Sequence, residues 1–142
     1  MNRELSIRWI DWKDWVDLDK VSIYNLLKEY NFHELDLESC LEENQTARID
    51  VYEDYLFLIL HFPKYNIKTR SYDLNEFDIF LWKDFIVTLR EYEWNHIDKL
   101  FDRYSKFDLE DNQMIKFTSG YILYEIIQSM LEKIFSLRDQ IK

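Results

Sequence analysis

Glycine is almost missing from this chain: Gly120 is the only one in 142 residues. Loops that cradle phosphate need several glycines, because the backbone must turn tightly and approach the phosphate oxygens closely. A nucleotide-binding loop, a dinucleotide fingerprint and a nucleophile elbow are therefore excluded, and with them the commonest α/β enzymes. Cysteine is as scarce. Cys40 alone can form neither an internal disulfide nor a cysteine-rich zinc site. With no basic neighbour to lower its pKa, it reads as a small buried apolar group. The N-terminus, MNRELSIRW, lacks the apolar core of a secretory signal, so a soluble chain in the reducing cytoplasm is expected. No apolar run approaches the roughly 20 residues that a membrane helix needs. Basic charge is short as well: 18 Lys and Arg face 28 Asp and Glu, a net charge of -10. A field of that sign repels phosphate backbones and attracts cations, so nucleic acid is not an expected partner.

Apolar residues make up 47% of the chain and aromatics 18%, enough for a sizeable core in one domain over residues 1–142. The longest apolar run, Tyr55 to Leu60, follows directly on Glu53 and Asp54. It is too short for a membrane span and does not alternate as a half-buried strand would. A strand buried on both faces, with helices above and below the sheet, accounts for it.

The neighbouring segments supply the rest of such a sandwich. Ser6 to Asp11 alternates as a first strand. Asp17 or Asp19 can cap a helix over Lys20 to Tyr30, and Phe32 to Leu41 reads as a second, short helix. Arg48 to Tyr52 is a strand pattern leading through Glu53–Asp54 into Tyr55 to Phe62, which Pro63 should end. Lys64 to Asn75, polar and without periodicity, reads as a loop with frayed strand ends. Phe77 to Trp82 and Phe85 to Leu89 form strands on either side of a tight Lys83–Asp84 turn. Trp94 to Tyr104 reads as a helix. A long one runs from Phe117 to the end, with a stripe of Leu123, Ile127, Met130, Ile134, Leu137 and Ile141. The expected class is α/β (α+β): a mixed sheet between helices. That last helix keeps its pattern to Lys142 without a stop signal, as expected of a piece of a longer protein.

No constellation of residues carries catalysis. The densest cluster is His33, Glu34, Asp36 and Glu38, with Asp36 one turn from His33 and Glu38 one turn from Glu34. Its spacing suits a hard cation such as magnesium, but a solvated acidic helix face is the reading preferred. His61 reads as structural and His96 as exposed. Glu53 and Asp54 are poor partners in acid/base work, since adjacent strand residues point to opposite faces; they mark a turn. Trp9, Trp12 and Trp15 recur every third residue, but no basic groove accompanies them, so they read as packing.

The order of these pieces is more specific than any one of them. WID, a helix, FHELDLESCLEENQTARIDVYEDYLFLIL, FLWKDFIVTLRE and YILYEIIQSMLEKIF follow one another as in the N-terminal cytosolic domain of the CorA family of magnesium and cobalt transporters, which the chain resembles from Trp9 to Lys142. His33, Leu35, Leu37 and Glu38 match one family motif, Tyr52–Glu53–Asp54–Tyr55 the acidic turn, and Tyr121–Ile122–Leu123–Tyr124 the helix after the last strand. Glu34 replaces a usual proline, Thr46–Ala47 an arginine–proline pair and Arg90 a common histidine.

The resemblance implies a regulatory domain in the cytoplasmic funnel of a homopentameric membrane transporter, unable to transport by itself and a monomer or weak dimer in isolation. A zinc-transporting branch of the superfamily, or a stand-alone binding module, are the alternatives. It further implies that magnesium binds between neighbouring subunits through carboxylates. Glu38 keeps one of them, but Ser39 and Gln128 stand where the family has two more. No tightly bound cofactor is expected, and any magnesium site is expected to be weak.

Overall fold

The computed structural model describes residues 8–13, 25, 28–29, 32–41, 45–83, 85–90, 95–105 and 118–141. The chain runs through β1 (Arg8–Lys13), α1 (Glu34–Leu41), β2 (Arg48–Val51), β3 (Tyr55–Asn66), β4 (Ser71–Trp82), β5 (Phe85–Arg90), α2 (Asn95–Ser105) and α3 (Ser119–Ile141). The helix expected over Lys20 to Tyr30 lies almost wholly outside the described residues. The five strands form one mixed sheet in the order β1-β5-β4-β3-β2, in which β1 lies parallel to β5 and the other pairs are antiparallel.

The run that opened the question, Tyr55 to Leu60, is buried from both sides. Tyr55, Phe57 and Ile59 join Phe80, Val87 and Leu89 beneath Leu37 and Cys40 of α1. Their sequence neighbours point the other way. Leu58 and Phe62 pack with Phe77, Ile79 and Ile86 against Ile97 and Leu100 of α2 and Ile122, Ile126 and Met130 of α3. A strand between two cores cannot alternate, which is why the sequence pattern is continuous. At about 25 cal/mol per Å² of apolar area, each of these fully buried side chains contributes roughly 1.5–3 kcal/mol. Cys40 is fully buried, as expected, and burial holds its thiol pKa well above the usual value.

Three expectations about the strands and helices need correction. Pro63 does not end β3, which continues to Asn66. The β2 ladder stops at Arg48↔Ile59, so a proline four residues further on interrupts no bond to that strand. The supposed loop from Lys64 to Asn75 is instead a two-stranded overhang, registered through Pro63↔Leu74, Tyr65↔Tyr72 and Asn66↔Ser71. Much of it is solvent-exposed, so no apolar periodicity marks it in the sequence. Its turn places Arg70 at φ 52°, a left-handed conformation that costs a non-glycine residue about 1 kcal/mol. The stripe on α3 is also rotated. Its buried line is Ile122, Ile126 and Met130, with Leu123 and Ile134 only flanking it. Thr118 caps this helix, its Oγ1 accepting from the Tyr121 N–H at 3.1 Å.

On the α2 and α3 side, Arg90 is fully buried. Its guanidinium donates to both carboxylate oxygens of Asp11, at 3.2 and 2.7 Å, and to Asp98 at 2.5 Å. Thr88 donates to Asp11 at 2.7 Å and accepts from the Trp9 indole at 2.9 Å. Trp9 meets Phe101 and Tyr104 edge-on, so its role is packing, as expected. His96 is not on an exposed face. It is half-buried with Nε2 2.9 Å from the Met130 sulfur, and burial, then Lys133 and Arg90, lower its pKa.

Candidate functional site

The acidic cluster of α1 overlooks the edge strand β2, and between them runs a shallow groove of about 640 Å³. Leu35, Asp36, Glu38 and Ser39 line one wall, and Arg48 to Tyr52 the other. The groove begins at a helix cap. His33 ends the preceding segment with its carbonyl accepting from Asp36 and Leu37, and its Nδ1 accepts from the Leu35 N–H at 3.2 Å. That cap aims Asp36 inward. Its carboxylate accepts from Tyr52 Oη at 3.0 Å and from Tyr55 Oη at 2.9 Å, while Tyr55 Oη itself accepts from the His33 N–H at 2.5 Å. The two tyrosine rings stack at 4.7 Å, and His33 stacks on Tyr52 at 5.3 Å. The turn Tyr52–Glu53–Asp54–Tyr55 thus works through its tyrosines, which clasp Asp36. Glu53 and Asp54 form the exposed turn between them, as expected.

Burial raises the Asp36 pKa, against the lowering effect of the two tyrosine hydrogen bonds. The Tyr52 pKa is pushed up to about 12, by burial first and then by Asp36. The cluster that looked like one acidic face therefore divides. Glu34 and Glu38 are exposed, whereas Asp36 is fully buried.

Ser39 and Arg48 decide what the groove can hold. Arg48 donates from Nη2 to Ser39 Oγ at 2.7 Å and from Nε to Asp50 Oδ2 at 2.9 Å, and stands 3.9 Å from Asp36. The Ser39 hydroxyl is thus already bonded to a guanidinium. Gln128 lies on α3, across the sheet from Ser39, exposed and within 3.4 Å of Glu132. One chain does not bring Glu38, Ser39 and Gln128 together. Among the described residues, no group of three or more His, Cys, Asp or Glu is placed to share a metal ion. A resident magnesium, which favours near-octahedral oxygen ligation, does not fit a groove with Glu38 on its rim and a fixed cation inside. Sequence reasoning missed Arg48 because its partners lie nine residues before it and two after it, a spacing that no simple motif encodes.

The layers and this groove define a helix–sheet–helix domain with an open groove at one edge of its sheet. The chain belongs to the CorA family: the family model for CorA-like Mg2+ transporter proteins matches residues 8–142. It is 27% identical over 133 residues to the putative metal ion transporter YfjQ of Bacillus subtilis, covering 93% of this chain and 39% of that protein. In fold it is similar to the soluble domain of CorA from Methanocaldococcus jannaschii (TM-score 0.68, 20% identity, 93% of this chain and 51% of that one). It is equally similar to the ZntB cytoplasmic domain from Vibrio parahaemolyticus (TM-score 0.69, 16% identity, 94% and 51%). The chain therefore spans well under two thirds of these relatives. No helix among the described residues is long and apolar enough to cross a membrane.

Proposed function

We propose that this chain is the cytosolic regulatory domain of a CorA-type divalent-cation transporter, contributing to the cytoplasmic funnel of a homopentamer and to its gating. The observation that carries this reading is the family match over residues 8–142, on a chain with the corresponding three-layer fold. Transport itself would need membrane segments that these residues do not supply. The acidic balance of the chain favours cations at the funnel wall.

Regulation by magnesium at Glu38 would be weak in this member, because Arg48 already occupies the groove and holds Ser39 and Asp50. A site filled a hundredfold above its dissociation constant would stabilise the domain by about 2.7 kcal/mol. We expect millimolar magnesium to leave the melting temperature nearly unchanged. The test of the functional reading itself uses the full-length protein that carries this chain. It should restore growth at low magnesium to cells without their own magnesium uptake, and lose ordinary gating when this domain is deleted. Zinc flux without magnesium or cobalt flux would assign the protein to the zinc-transporting branch of the superfamily. No cation flux at all would overturn the proposal.

A further inference from the structure

Past the apolar centre of the α1 face, the two longest strands carry polar residues in register. Phe57 lies opposite Phe80, Ile59 opposite Asp78 and His61 opposite Glu76, so alternation turns all six toward the α1 layer. Asp78 is 1% exposed and Glu76 4%, deep burial for carboxylates. Cys40 lies close enough to sense both. Burial raises its thiol pKa first, then Asp78, with Asp36 and Glu76 adding to the effect. This corner of the sheet is dry and negative.

Glu76 is incompletely satisfied there. Its Oε1 accepts from the Gln45 N–H at 3.0 Å. Its Oε2 is buried and has no hydrogen-bond partner, which is costly for a carboxylate oxygen. The basic group beside it is His61, whose Nε2 stands 3.8 Å from Oε1 and whose side chain is 25% exposed. That gap is too long for a hydrogen bond, and a bond across it would still leave Oε2 unmatched.

A divalent ion answers both deficits. An imidazole nitrogen and a carboxylate oxygen, each about 2.1 Å from one ion, stand roughly 3.4 Å apart in tetrahedral geometry. The observed gap closes to that with a small side-chain shift. Glu76 can ligate through both oxygens, which brings Oε2 into use, and the exposed part of His61 gives the ion a way in. No third His, Cys, Asp or Glu among the described residues is placed to join them, so water fills the remaining positions. Imidazole suits zinc and cobalt, whereas magnesium prefers oxygen ligands alone.

We propose that His61 and Glu76 form a two-residue site for a divalent ion of the zinc or cobalt class, between β3 and β4 on the α1 face. Neither residue lines the Arg48 groove, and the site stands on its own geometry, whatever the parent protein transports. Because Gln45 shares the same carboxylate, a bound ion braces the β3–β4 ladder to the segment that enters β2.

Cobalt(II) chloride titrated into the purified chain, followed by its visible absorption, tests the site. One equivalent should bind saturably; zinc chloride should displace it, and excess magnesium chloride should not. His61→Gln and Glu76→Gln should each weaken binding by at least about tenfold. Glu76→Gln keeps an oxygen for the Gln45 N–H, and His61 is partly exposed, so both variants should retain the fold, which circular dichroism checks. In the unmutated chain, zinc should shift the ring resonances of His61 before those of His33 and His96. Shifts led by His33, on the exposed acidic side of α1, would overturn the assignment. So would an affinity unchanged in either folded variant, displacement of cobalt by magnesium, or no saturable binding up to millimolar cobalt.

Discussion

Arg90→Ala would remove the guanidinium that stands between Asp11 and Asp98. The arginine side chain is fully buried, that of Asp11 is 1% exposed and that of Asp98 23%. Three charge-assisted hydrogen bonds disappear, and the Asp11 carboxylate stays buried with the Thr88 hydroxyl as its remaining donor among the bonds described above. Breaking a buried pair by deleting one partner costs about 3–5 kcal/mol, most of it the penalty of the stranded charge. That is a large part of the 5–15 kcal/mol that holds a typical domain. For a chain of this length it lowers the melting temperature by roughly 10–17 °C. Urea unfolding at neutral pH measures the loss directly. Adding Asp11→Asn to Arg90→Ala should recover part of it, because the stranded charge goes too, and the double-mutant cycle isolates the coupling. A loss below about 1 kcal/mol for Arg90→Ala, as for an exposed ion pair, would refute the buried triad and the burial of this corner.

Leu58→Asp should abolish folding, since the side chain is 5% exposed between β3 and α3; an unfolding shift under about 1 kcal/mol would show that it faces solvent. Asp36 gives a pH signature. Its folded pKa is raised, so its share of stability is complete below the ordinary carboxylate value of 3.8 and is lost as the pH rises through the raised one. Asp36→Asn should therefore flatten the fall in stability over that interval, and parallel stability curves for the two proteins would contradict the raised pKa.

Much of the sandwich was legible because each legible element has its own periodicity or an unbroken apolar run. Tyr55 to Leu60, the Phe77 to Leu89 hairpin and α3 all announce themselves locally. The overhang did not, because much of it is exposed and nothing apolar repeats along it. The α3 stripe was misplaced since Leu123 and Ile127 fit helical spacing as well as Ile122 and Ile126 do; only the sheet beneath decides between them. The candidate site was half legible. The residues of α1 were found, but acid next to acid looks alike in a sequence whether buried or not. What separates Asp36 from Glu38 is a pair of tyrosines 16 and 19 residues later.

The parallel pairing of β1 with β5 also has a consequence in time. Trp9 lies opposite Ile86, so the first strand has no place in the sheet until almost ninety residues have left the ribosome. The hairpin of β3 and β4 closes over a four-residue turn and needs no such wait. We infer an order of assembly in which the antiparallel strands form first and β1 is the late arrival, carrying Asp11 to an Arg90 that stays hydrated until then. Pulsed hydrogen exchange during refolding should protect the amides of Phe57 to Phe62 before those of Trp9 to Trp12, and the reverse order would sink the idea. Until β1 docks, the margin of β5 that will receive it is an open edge, and the interval before docking is when a nascent chain is most exposed to pairing with the wrong strand.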